Sequence, residues 1–149
     1  MKKRKALCCV LIGLNLALIW GNSALPGGVS LELSNGFLAL LSRSFPFLAR
    51  IGSMLIRKLA HFSEFACLGL LLAWFFRLMG ERGFHGVTSP ALLGTLAACV
   101  DETIQRFVPG RESSLIDVWI DIGGVCTGIL LLHLGYCCIR RRKERKQNF

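Results

Sequence analysis

The alternation of apolar and polar positions divides this chain into four long hydrophobic segments, at about residues 6–21, 59–76, 90–108 and 115–139. A bilayer core of ~30 Å takes about 20 helical residues, so each segment predicts a transmembrane helix, the first only just long enough. Lys58 and Arg77 bracket the second segment. Ser89 and Pro90 predict the N-cap and first helical position of the third. The expected fold is all-α, a polytopic membrane helix bundle of about four transmembrane helices. Its expected divisions are a first span with a long outer loop (1–57), a helical core (58–139) and a basic tail (140–149).

The polar residues that interrupt these segments fall at one depth. Glu64, Asp101, Glu102, Asp117 and Asp121 lie inside or at the edge of the spans. A charge at the centre of such a helix costs about 2.5–3.5 kcal/mol on insertion scales, so these carboxylates predict a packed interior or a polar site. At 1.5 Å per residue, Glu64 lies ~9 Å beyond Lys58, Asp101 ~7.5 Å before Arg106 and Asp121 ~10 Å beyond Ser114. In a bundle of alternating helices these positions share one level, with His61 and Gln105 beside them. The other half of the same helices, at 68–76, 91–100 and 123–132, is nearly featureless.

Helical spacing gives each polar group a face. Asp117, Asp121, Gly124 and Gly128 form one stripe, and the Gly124–Gly128 pair predicts close approach of another helix. Gly94, Ala98, Asp101 and Gln105 form a similar stripe on the third segment. His61 and Glu64 share a face on the second.

Composition and charge add compartment and orientation. Hydrophobic residues make up 53% and mean hydropathy is +0.54, too apolar for an ordinary soluble domain. The net charge of +9 is concentrated: ten of the 18 Lys and Arg lie at 2–5 and 140–146, each run abutting an apolar segment. Basic flanks of this kind predict cytoplasmic anchors beside anionic lipid. Together with an even number of spans they place both termini on the cytoplasmic side of the membrane. No aromatic residues interleave with the charges, so nucleic acid is not an expected partner. Arg43, Arg50 and Arg57 in the outer loop weaken the charge bias without reversing it. Residues 37–48 read either as an interfacial helix or as a partly ordered loop. A cleaved signal peptide is the rival reading of the first segment, although Asn22 fits the small-residue cleavage rule poorly. The seven cysteines contain no CxxC pair and none falls clearly outside, so they predict small apolar residues rather than disulfides or a zinc site.

The candidate chemistry is therefore an acidic cup. His61, Glu64, Asp101 and Asp121 are the candidate catalytic residues, with His61 and a carboxylate suited to acid–base work. Lys58, Glu102, Gln105, Arg106, Arg111 and Asp117 are the candidate substrate-binding residues, the cations suited to an anionic headgroup. Each has a structural alternative. Ser114 to Asp117 has capping-box spacing. Glu102 can turn out of the bundle toward Arg106, Arg111 can anchor at the interface, and His61 can bond within its helix. His85 and His133 follow no pattern.

Three runs carry a resemblance. Residues 58–65 (KLAHFSEF) with Leu68-Gly69, residues 101–111 (DETIQRFVPGR) and residues 113–118 (SSLIDV) continuing through Asp121 to Gly123-Gly124 resemble, in order and spacing, the signatures of the VanZ-like membrane family. The resemblance implies a small bacterial envelope protein of four or five spans. The family takes its name from a member linked to resistance to the glycopeptide teicoplanin. Two functions follow as expectations. One is a site facing outward that binds or modifies a lipid-linked envelope component, with membrane lipids, a cell-wall precursor or a glycopeptide as partner. The other is a non-catalytic scaffold in which the same groups form a closed ionic network. Proton-coupled transport stands third, since the featureless half offers no path. No cofactor or resident metal is called for. A divalent ion held by His61, Glu64, Asp101 and Asp121 is a variant of the first function.

Overall fold

The computed structural model describes residues 2–44, 52–111 and 113–147. Among them are five helices and no strand: α1 (Lys2–Ser23), α2 (Gly27–Ser44), α3 (Ser53–Met79), α4 (His85–Arg106) and α5 (Leu115–Gln147). Three of them, α1, α3 and α5, are long and apolar enough to cross a membrane. The third predicted segment is also a helix of 22 residues, long enough at ~33 Å, but its polar residues keep it out of that class.

Several boundaries differ from expectation. α4 begins at His85, so Pro90 stands in its second turn rather than at its start. A proline there removes only the bond to the Gly86 carbonyl, a small loss so near a helix end. α5 does not stop near residue 139. It runs into the basic tail as far as Gln147, where Arg140 and Glu144 pair one turn apart at 2.8 Å. α3 runs past the expected 59–76 at both ends, from Ser53 to Met79. Gly80 takes a left-handed φ of 99° and its N–H closes on the Phe76 and Arg77 carbonyls.

α1, α3, α4 and α5 alternate in direction. One end of the bundle gathers the N-terminus, the 80–84 turn and the basic tail. The other gathers residues 23–27, 52–58 and 107–117, where Gly27 N–H donates to Pro109 O at 3.1 Å. A side chain on Gly27 would collide with the Gly110 carbonyl, so the two loops meet backbone to backbone.

α3 and α5 form the principal contact. It depends on glycine. A Cβ on Gly69 would lie 2.8 Å from Val125 Cα, one on Gly124 would lie 2.5 Å from Phe62 O, and one on Gly128 would lie 2.6 Å from Leu70 N. α1 lies across α3 and α4, burying Cys8, Asn15, Ile19 and Ser23 at heptad-like spacing. The core joins Ile19, Phe65, Leu68, Leu72, Ala97, Ala98, Val125 and Ile129.

Much of the exterior is apolar. Leu14, Leu18, Leu92, Leu96, Trp119, Leu130 and Leu134 are all exposed. The described part of the 37–48 segment, residues 37–44, belongs to α2; residues 45–48 lie outside the described residues. α2 is inverted relative to a soluble helix: Gly27, Ser30 and Ser34 turn inward while Leu31, Leu33, Phe37 and Leu40 face out. A continuous apolar surface of this extent suits lipid rather than water.

Candidate functional site

Three helices converge at the end of the bundle opposite the termini. α3 supplies His61, α4 supplies Asp101 and α5 supplies Asp121, and one nitrogen or oxygen from each lies within 4.8 Å of the others. Asp101 and Asp121 are 0% and 2% exposed. The buried stripe Gly94, Ala98, Asp101, Gln105 turns α4 toward the centre, and the glycine face of α5 turns Asp121 toward α3.

Hydrogen bonding in this centre is incomplete. Gln105 Nε2 donates to Asp101 Oδ2 at 2.8 Å. His61 Nδ1 stands 4.0 Å from the same oxygen and 3.9 Å from Glu64 Oε2, beyond hydrogen-bond reach. His61 Nδ1 and Asp101 Oδ1 are buried with no partner. A cavity of about 10 Å³, room for about one water, is lined by His61, Gln105, Asp121, Lys58, Arg57 and Asp117.

Around this centre the polar groups are spent on structure. Asn22 of α1 donates to Glu64 Oε1 at 2.7 Å. Lys58 Nζ pairs with Asp117 Oδ1 at 2.6 Å. Arg111 donates from Nε to Leu25 O at 3.1 Å and from a terminal nitrogen to Asn22 O at 2.5 Å. Burial, reinforced by the nearby Arg57 charge, pushes the Arg111 pKa down. Glu102 does not turn toward Arg106. It is buried, and its Oε1 accepts the N–H of Ser114. At the start of α5, Ser114 Oγ accepts the Ile116 N–H at 3.2 Å, while the Asp117 carboxylate goes to Lys58. Glu102 thus takes, from another helix, the place that a capping box gives its own acid, because the α4–α5 turn lays Ser114 against it.

A larger cleft opens beside the centre. Its volume is about 420 Å³ and its walls include Gly27, Gly28, Met54, Arg57, Lys58, Gly110, Ser114 and Asp117. It shares Arg57, Lys58 and Asp117 with the small cavity. Arg57 forms no ion pair among the described residues.

The three runs that meet here, 58–69, 101–111 and 113–124, are those whose spacing resembles VanZ. The VanZ/LLP1 sequence profile matches residues 7–136. The chain belongs to the VanZ/LLP1 family. With its apolar helices, this makes it a membrane protein. Neither the curated proteins nor the solved structures contain a match.

In this VanZ/LLP1 protein, three of the four candidate catalytic residues converge, and the fourth, Glu64, is turned partly aside to Asn22. Lys58, Gln105 and Asp117 line the small cavity, Glu102 and Arg111 brace the loops around it, and Arg106 is exposed away from it. Asn22 and Arg57 were missed as site residues. Asn22 reads in sequence as a loop residue and Arg57 as one more loop charge. The only signal for Arg57 is its position one residue before the first motif.

Proposed function

We propose that this chain is a multi-pass membrane protein with both termini in the cytoplasm, and that it binds or modifies an anionic, lipid-linked component of the envelope at its outer end. The observation that carries the reading is the cleft of about 420 Å³ at Arg57 and Lys58, which shares those two residues and Asp117 with the His61–Asp121 cavity. Phosphate or another anionic headgroup suits Arg57, which forms no ion pair among the described residues, and the first turn of α2 at Gly28 adds a favourable dipole. The acyl or polyprenyl part would run along the apolar exterior. Exposed Trp119 and Phe107, at the same end, suit headgroup depth. Altered glycopeptide susceptibility is the expected cellular consequence. A scaffold reading has support from Lys58–Asp117, Asn22–Glu64 and Glu102–Ser114, which are satisfied without a ligand.

The test uses purified full-length protein in mild detergent and a fluorescent short-chain lipid with a diphosphate headgroup. It should bind more tightly than the phosphocholine analogue, and Arg57→Ala should weaken it about tenfold, the loss of roughly 1.4 kcal/mol. Equal affinity for both headgroups, with no effect of Arg57→Ala, would leave the scaffold reading standing. Orientation is tested separately, with a cysteine at Gly110 in a variant lacking the native thiols. Labelling in intact cells is expected; labelling only after permeabilisation would invert the topology.

A further inference from the structure

We propose that His61, Asp101 and Asp121 form a binding site for one divalent cation of the zinc or manganese class. The inference rests on the preceding reading of this cavity and gives its deeper part a ligand.

Four observations carry it. One donor atom from each of the three side chains lies within 4.8 Å of the others. Donors on one ion at about 2.0–2.2 Å stand roughly 3–4.4 Å apart, so small side-chain movements close the gap. Asp101 is fully buried and still leaves Oδ1 without a partner, as His61 does at Nδ1. Among the described residues neither buried aspartate has a Lys or Arg in direct contact: Lys58 pairs with Asp117, and Arg111 directs Nε and a terminal nitrogen to the Leu25 and Asn22 carbonyls. Two adjacent carboxylates buried without a directly paired cation are costly, and a divalent ion held between them supplies that pairing. Finally, His61 and Asp121 line a cavity of about 10 Å³, the size of a single small occupant.

One imidazole with two carboxylates is a mixed nitrogen and oxygen set. It suits zinc or manganese better than calcium, which takes six to eight oxygens. Gln105 acts as a positioning residue: it holds Asp101 Oδ2 and leaves Oδ1 for the ion. An ion here, beside Arg57 and Lys58, adds a further positive centre for an anionic headgroup entering the cleft.

The experiment uses full-length protein in mild detergent, purified without chelator, then stripped with EDTA and titrated with zinc and manganese by calorimetry. One ion per chain is expected, with calcium far weaker. Asp101→Asn with Asp121→Asn should abolish binding, Gln105→Leu should weaken it about 10–100-fold, and Glu144→Gln in the tail should leave it unchanged. X-ray absorption of zinc bound to the unaltered protein, which needs no variant to fold, should show nitrogen and oxygen donors with imidazole scattering. Sulfur in that shell would assign the ion to the cysteines and overturn the site. So would the absence of binding of either ion, or binding unchanged in the double variant. Stoichiometric ion uptake alongside lipid binding indifferent to Arg57→Ala would support the ion and overturn the lipid reading. Diphosphate-lipid binding by a protein that takes up no ion would do the reverse.

Discussion

The contact between α3 and α5 is made in two different ways along its length. In the middle, around Gly69, Gly124 and Gly128, the helices meet backbone to backbone, with no polar side chain involved. At the end opposite the termini the same pair meets through Lys58 and Asp117 and through the His61–Asp121 face. The first region has no freedom, since every added atom collides. The second holds a cavity and unpartnered buried atoms. The difference teaches how a small bundle keeps unspent polar groups: close packing one or two turns away holds the helices at a fixed separation, so the polar end need not satisfy itself to keep the fold.

The largest expected effect breaks the packed region. Gly128→Leu should cost about 3 kcal/mol or more, because its side chain meets the Ala66 carbonyl and Leu70 N, backbone atoms that cannot move aside. Gly135→Leu, with nothing within 4 Å, should be neutral. The monodisperse fraction on size-exclusion chromatography in mild detergent reads both, and equal yields would mean that the glycine seam does not hold the bundle.

A smaller effect is expected where the polar end braces the fold. Glu102→Ala removes the acceptor for the Ser114 N–H and should cost about 1–2 kcal/mol, as loss of a helix cap does. Glu102→Gln keeps an acceptor oxygen and should retain most of that stability. Thermal unfolding of the two variants in detergent distinguishes them; identical losses would indicate that the charge, not the cap, matters there.

The smallest effect is expected at Asn22→Ala, which removes one bond to Glu64 at a partly exposed position and should cost about 1 kcal/mol or less. Were its cost on the same thermal scale to match that of Gly128→Leu, the polar end would carry the fold and the division between the two regions would fail.

Much of this arrangement is legible in the chain. The apolar segments, the common depth of Glu64, Asp101 and Asp121, and the stripe from Asp117 to Gly128 all follow from a period of 3.6 and a rise of 1.5 Å, which relate residues on one helix. The extension of α5 past residue 139 was less legible, because a hydropathy boundary marks where lipid ends and not where a helix of Arg, Lys and Glu ends. The start of α4 was misread because a proline one turn inside a helix resembles a proline at its first position.

By itself, the sequence determined that this is a helical membrane protein with its acids gathered toward one end, because hydrophobicity and periodicity are properties of single segments. Only the tertiary structure decided which acids are spent and which are left. Glu102 goes to Ser114, Glu64 to Asn22 and Asp117 to Lys58, while Asp101 and Asp121 are left facing His61. Those pairings depend on how each helix is rotated against its neighbours and on where the loops at Gly27 and Gly110 touch. They are set by collisions between residues far apart in the chain, and no local pattern encodes them.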